Sequence, residues 1–159
     1  MKEVFFNKTS FIVGSLLIFT FVVFSPSIHS NFTNWDDNWM LTEHPLIRSL
    51  SPAGIKEIFF GEIYNLNYQP LVFLSYSVGH HFFGLNAVTF HLTNLLLHIF
   101  NVLLVYWFIR LISAGKIPAF VAAVLFAIHP MHVESVAWIT GRRDMLYTLF
   151  FLLSLINYT

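Results

Sequence analysis

Residues 10–28 run without a single charged side chain and are preceded by Lys2 and Lys8. About 20 consecutive apolar residues is the length that crosses a bilayer as a helix, and lysines ahead of it hold the N-terminus on the cytoplasmic side. That segment decides the class of fold, and the rest of the chain agrees with it. Of 159 residues, 57% are hydrophobic, 10% are charged and 19 are Phe, whereas about a quarter of a soluble domain carries charge. The chain reads as an all-α integral membrane protein. A formal net charge of zero offers no basic field to nucleic acid, and the absence of Cys removes disulfides and thiolate metal sites. The competing reading of the first segment is a cleaved signal peptide, because Ser25-Pro-Ser-Ile-His-Ser30 places small residues near a potential cut. Both readings send the chain from Asn31 onward to the outside.

About four spans are expected, near residues 10–28, 87–112, 117–134 and 144–159, with outer loops at 29–86 and 129–143. Arg110, Lys116 and the breakers Gly115 and Pro118 make the connection after the second span a short basic cytoplasmic loop. The third segment is short unless it continues through His129-Pro130. Residues 146–159 stay hydrophobic to the end, which suggests the N-terminal part of something longer. The first outer loop holds Asp36, Asp37, Glu43, Glu57 and Glu62. Within it, Ser51-Pro-Ala-Gly-Ile-Lys-Glu-Ile-Phe-Phe60 predicts a short surface helix with Ser51 as N-cap, Pro52 in the first turn and Ile55, Ile58 and Phe59 on one face. Residues 65–85 are apolar but broken by Gln69-Pro70, Gly79 and Gly84, which predicts an interfacial helical stretch instead of a span. No internal repeat is visible.

Four constellations carry potential chemistry. Asp36 and Asp37, in Asn34-Trp-Asp-Asp-Asn-Trp39, place two carboxylates just outside a membrane, where an enzyme acting on a lipid-carried substrate keeps a general base; a solvated Asp/Asn turn is the alternative. His91, Asn94, His98 and Asn101 recur at helical spacing and share one face of the second span. His98 and Asn101, deeper, suit interhelical hydrogen bonds; His91 and Asn94, nearer the outer surface, suit a substrate cavity. Arg142 and Arg143 lie in an outer loop, against the positive-inside rule, and a guanidinium fork matches phosphate oxygens. Their alternatives are headgroup contacts or bridges to Glu134 and Asp144. His129, His132 and Glu134 are zinc-type donors, but Pro130 breaks the helix that would align them and no HExxH is present. A divalent cation shared by Asp36, Asp37 and Glu134 fits hard-ion preference better; the cofactor stays open.

Six short motifs occur in order: Trp35-Asp-Asp37, Tyr68-Gln-Pro70-Leu71, Phe83-Gly-Leu-Asn86, Phe90-His-Leu-Thr-Asn94-Leu-Leu-Leu-His98, Phe126-Ala-Ile-His-Pro-Met-His-Val-Glu134 and Gly141-Arg-Arg-Asp-Met-Leu146. Together they closely resemble the N-terminal membrane region of the transmembrane and tetratricopeptide-repeat-containing O-mannosyltransferase family, including bacterial relatives. The resemblance implies a GT-C-like multispan helical bundle with a large first extracytoplasmic loop bearing interfacial helices. It implies a glycosyltransferase that moves a sugar, mannose or another hexose, from a polyprenyl-phosphate carrier to a Ser or Thr hydroxyl of a protein acceptor. The membrane would be the bacterial inner membrane, or that of the endoplasmic reticulum in a eukaryote, with the catalytic loops on the noncytoplasmic side. It further implies Asp36, Asp37 and Glu134 as catalytic candidates. Arg142, Arg143, His91, Asn94, His129 and His132 are then the expected substrate or phosphate contacts, and lipids surround the whole. The later spans and the tetratricopeptide repeats of that family do not occur in these residues.

A nonenzymatic membrane protein, such as a transporter element or assembly factor, is the second class. A transporter concentrates ionisable groups near the midplane, whereas here the acids and outer arginines gather at one interface. The expected topology places Ser30, Ser49 and Ser135 on the same noncytoplasmic face. Single cysteines at these positions should all react with an impermeant thiol reagent in sealed cells. Reaction at Ser30→Cys and Ser49→Cys without Ser135→Cys, when permeabilised cells label all three, would overturn the topology.

Overall fold

In lipid every backbone N–H and C=O must find a partner within its own segment, which leaves helices as the natural solution for a chain this apolar. The computed structural model describes residues 2–61, 68–113 and 115–159, with side chains from residue 9 onward. Glu62, residues 65–67 of the expected interfacial stretch, and the side chains of Lys2 and Lys8 therefore lie outside the described residues. The helices are α1 (Lys2–Phe24), α2 (Pro52–Phe60), α3 (Pro70–Phe83), α4 (Ala87–Ile112), α5 (Lys116–Ile128), α6 (Met131–Ala137) and α7 (Arg142–Tyr158). Among the described residues there is no strand. The protein is an all-α membrane protein.

Two segments, Thr9–His29 and Ala87–Ile112, are long and apolar enough to cross a membrane. Helices α5 and α6 reach that length only as a pair, bent by 63° between them. The bend falls at His129-Pro130, where proline offers no N–H and drives the residue before it out of helical geometry; His129 sits at φ −62°, ψ 130°. The 17 residues of α7 stand at the lower edge of spanning length, about 17–25 residues.

The described residues between α1 and α4 form a folded cap. Ser51 caps α2 as expected, its hydroxyl accepting from the Gly54 N–H at 3.1 Å. Helix α3 runs straight through Gly79 instead of breaking there. The glycine serves close packing: a Cβ at Gly79 would stand 3.0 Å from the Phe90 ring of α4. The chain turns out of α3 at Gly84, whose φ of 65° suits glycine. Met40, Leu41, Ile47, Ile58, Val72, Phe73, Tyr76, Phe90 and Ile139 form one buried cluster that joins the cap to α4 and to the turn before α7.

Helix α4 is the axis of the bundle, with α1, α3, α5, α6 and α7 all packed on it. Against it α5 presents Ala119, Ala123 and Ala127, each fully buried at a spacing of four. Small residues at that spacing let two backbones approach, which is how helices associate where no hydrophobic force separates them from lipid. The opposite faces carry exposed Leu96, Phe100, Ile117, Val121, Leu125 and Phe151 toward the surroundings.

The polar stripe of α4 is buried along its whole length. Asn101 donates to the Met145 carbonyl at 2.9 Å, and His98 bonds the Ala127 carbonyl at 3.0 Å. Both bonds are interhelical, in keeping with the expectation for this pair. Asn94 does the same work and more: its Nδ2 donates to the carbonyls of Trp138 and Ile139 at 2.9 and 3.2 Å, while its Oδ1 accepts from Arg142 Nε at 2.8 Å. Both polar atoms of its side chain are thus engaged at the corner between α6 and α7.

These bonds differ in what their loss leaves behind. Asn101→Ala removes one interhelical contact, worth about 0.6 kcal/mol. Asn94→Ala leaves the buried Arg142 Nε–H without its acceptor, at about 1–3 kcal/mol or more, and takes one of two donors from each of the Trp138 and Ile139 carbonyls. Unfolding titrations in mixed micelles should show the larger midpoint shift for Asn94→Ala; equal shifts would refute the corner role.

Candidate active site at the α6–α7 corner

Asp36 and Asp37 are adjacent yet face different surroundings. Asp37 is fully buried. Its Oδ2 accepts from the Thr33 N–H at 2.8 Å and the Thr33 hydroxyl at 2.9 Å, and its Oδ1 is buried without a hydrogen bond among the described residues. The same Thr33 hydroxyl accepts from Trp138 Nε1 at 2.9 Å. A hydroxyl has one proton to give and two lone pairs to offer, so Thr33 relays between Trp138 after α6 and Asp37 in the segment after α1. That relay ties the two loops together.

Asp36 is half-buried, and its Oδ1 accepts from Trp39 Nε1 at 3.0 Å. Immediately after the pair, a wide π turn over Asn38–Thr42 buries Met40 and Leu41, which anchors the acidic segment from below. Asp36 lines a cavity with Glu134, Arg143, Asp144, Trp138 and Thr140. The cavity has a volume of about 20 Å³, enough for roughly one water-sized group. Gly141 forms another part of its wall and cannot be larger, since a Cβ there would meet the Ser135 backbone at 2.7 Å.

Around this cavity the charges are three carboxylates and one guanidinium. Arg143 Nε lies 3.4 Å from Asp144 Oδ1, with both side chains about half exposed; such a pair adds little stability but fixes where the guanidinium stands. Asp144 Oδ2 also accepts from the Ser135 hydroxyl at 3.0 Å. Thus Asp36, Glu134 and Arg143, three of the residues singled out in the sequence, meet at one place.

The remaining candidates do not join them. Arg142 is completely buried, with Nε on Asn94 Oδ1, Nη2 on the Phe90 carbonyl at 2.9 Å and Nη1 on the Ser75 hydroxyl at 3.3 Å. Its guanidinium carbon lies 4.6 Å from the Tyr76 ring centre and 5.5 Å from that of Phe90. Helical rotation at the start of α7 explains the split, because successive residues point about 100° apart. Burial pushes the Tyr76 phenol up, opposed by Arg142 and reinforced by Asp37. His91 is buried beside the backbone of Asn31 and Ala137, within electrostatic reach of Asp37 and Arg142. His129 is exposed at the α5–α6 bend, its Nδ1 accepting from the Met131 N–H at 3.3 Å. His132 packs against Phe126 and His98, with ring centres 4.4 and 5.5 Å away.

Among the described residues no three His, Asp or Glu side chains converge closely enough to hold a metal ion. The zinc-type trio and the cation shared by Asp36, Asp37 and Glu134 are thus not assembled. Asp37 is turned inward to Thr33, and His132 lies in the aromatic packing beside α5. Sequence reasoning missed Thr33 and Trp138. The four-residue interval from Thr33 to Asp37 was a usable signal; the indole partner, 105 residues away, left none.

Comparison with known proteins gives consistent relatives. Protein O-mannosyl-transferase TMTC1 of Mus musculus is 34% identical over 141 residues, covering 83% of this chain and 15% of its own length. Protein O-mannosyl-transferase TMTC2 of Homo sapiens is 42% identical over 92 residues, 58% of this chain and 11% of its own length. Protein O-mannosyl-transferase TMTC4 of Homo sapiens is 33% identical over 170 residues, 92% of this chain and 22% of its own length. The chain spans less than a quarter of the length of these relatives. No family model and no solved structure matches it.

The relay predicts a graded response at position 33. Thr33→Ser keeps the hydroxyl and should leave stability nearly unchanged. Thr33→Val keeps the shape and the Thr33 N–H bond to Asp37 but removes the hydroxyl's bonds to Asp37 and to the Trp138 indole, the latter exposed, at a cost of about 0.5–1.5 kcal/mol. Unfolding midpoints of the two variants measure the difference; equal midpoints would show that the relay does not hold the loops.

Proposed function

We propose, because the chain belongs to the transmembrane and tetratricopeptide-repeat O-mannosyl-transferase family, that it forms the outer catalytic corner of a GT-C-type glycosyltransferase. In this reading the enzyme takes mannose or another hexose from a polyprenyl-phosphate carrier. It delivers the sugar to a Ser or Thr hydroxyl of a protein acceptor on the noncytoplasmic side of its membrane. The observation that carries the reading is the cavity in which Asp36 stands with Glu134 and Arg143, sized for a single hydroxyl group.

The chemistry asked of such a site is a displacement at the anomeric carbon. The acceptor oxygen forms a bond to that carbon as the bond to the phosphate oxygen breaks. The hydroxyl proton passes to a carboxylate, and polyprenyl phosphate leaves with the electron pair. Asp36 suits the base, since its carboxylate reaches the cavity while that of Asp37 is held inward by Thr33. Asp37 then acts as a positioning residue through the Thr33–Trp138 relay. Arg143, partly exposed and steadied by Asp144, suits the departing phosphate, whereas Arg142 has its donors committed inside the bundle. Glu134 at the cavity rim suits orientation of the acceptor.

The test uses the full-length protein with a labelled polyprenyl-phosphate mannose donor and a Ser/Thr peptide. Asp36→Asn should lower kcat by a factor of about 100 to 10,000, and Arg143→Gln should chiefly raise the donor KM. Wild-type turnover in Asp36→Asn would remove the base assignment. No transfer by folded wild type from any polyprenyl-phosphate sugar would favour the nonenzymatic reading.

A further inference from the structure

Thr140 lines the Asp36 cavity, yet the proposed transfer gives it no task. Its side chain is buried, and its hydroxyl oxygen makes no hydrogen bond among the described residues. The residue is held in place by its neighbour in the short turn Ile139–Gly141, because the Ile139 carbonyl receives both the Tyr76 hydroxyl and Asn94 Nδ2. A buried hydroxyl left unpaired is unfavourable. A polar occupant of the cavity therefore gains by supplying the missing partner.

Water is the smallest occupant that fits. The cavity volume, about 20 Å³, matches a single water, which when buried needs about two to four polar partners. The lining offers them in complementary kinds. The carboxylates of Asp36 and Glu134 accept, the Arg143 guanidinium donates, and the Thr140 hydroxyl does both. Among the described residues Asp36 receives a hydrogen bond at Oδ1 alone, from Trp39, so its second oxygen is available to a bound water. Such a water occupies the place that the proposed transfer assigns to the acceptor hydroxyl, next to the same base.

We propose a second activity, resting on the transferase reading: without a protein acceptor the corner hydrolyses the polyprenyl-phosphate sugar, using a water held by Thr140. The water oxygen forms a bond to the anomeric carbon as the bond from that carbon to the phosphate oxygen breaks. One water proton passes to the Asp36 carboxylate, and polyprenyl phosphate leaves with the electron pair. The products are free hexose and polyprenyl phosphate, and Asp36 returns its proton to solvent. Thr140 matters more to this reaction than to transfer. A peptide hydroxyl is brought to the base by the binding of the rest of the peptide, whereas a water is held by the cavity alone.

The test gives full-length protein labelled polyprenyl-phosphate mannose in oxygen-18 water, with and without the Ser/Thr peptide. Without peptide, wild type should release free mannose above the level of Asp36→Asn, and the polyprenyl phosphate should carry no oxygen-18, because water attacks carbon. Thr140→Val, which keeps the shape, should slow release about tenfold, the worth of one hydrogen bond, and slow peptide transfer by less than about threefold. Thr140→Ser should restore release, and Thr140→Ala should reproduce the split should the valine variant fold poorly. Transfer to peptide with no mannose release would overturn the hydrolysis and leave the transferase reading standing. Release without transfer would do the reverse. Equal slowing of both reactions in the Thr140 variants, or oxygen-18 in the polyprenyl phosphate, would also overturn the proposal.

Discussion

A guanidinium removed from water must be solvated by the protein itself, and Arg142 is so placed with no carboxylate beside it among the described residues. The bundle answers with an amide oxygen from Asn94, a backbone carbonyl from Phe90, the Ser75 hydroxyl and the face of Tyr76. Stranding a buried charge costs several kcal/mol, so α3, α4 and α7 have to meet where these acceptors converge. Much of the architecture at this end of the bundle depends on that requirement. Once Arg142 is lodged, Ile139, Thr140 and Gly141 are pressed onto the cap, and the Ile139 carbonyl receives the Tyr76 hydroxyl at 3.1 Å. The next residue, Arg143, is left outside.

The helical plan was readable from the sequence because its signals are local. Apolar length marked the segments, the Ser51-Pro52 start marked α2, and the three-and-four spacing of His91, Asn94, His98 and Asn101 marked a buried face of α4. The expected third span was readable only in part, since the Pro130 break was visible while the 63° turn it produces was not. Gly79 misled for a related reason: glycine is a breaker by propensity, and here it is a clearance for the Phe90 ring.

The site was legible as a set of residues and illegible as a division of labour. Two adjacent aspartates and two adjacent arginines look equivalent in a string of letters. In the fold, one of each pair is absorbed by the interior and the other reaches the cavity, and what decides between them is a tertiary partner. Thr33 selects Asp37 for the inside and Asn94 selects Arg142. Neither partner is adjacent to the residue it claims, and the choice between Arg142 and Arg143 rests on a contact 48 residues away.

The indole bond between Trp138 and Thr33 joins positions 105 residues apart, and this separation has a consequence for the order of events during synthesis. A ribosome adds roughly 5–20 residues per second, so the acidic segment emerges about 5–20 seconds before its opposing wall exists. Through that interval both aspartates face water or whatever escorts the nascent chain, and the relay through Thr33 has no indole to receive. The corner consequently closes only after α6 has emerged. Errors in placing α6 would be recorded there first, with helices already in the membrane and the two halves of the corner still apart.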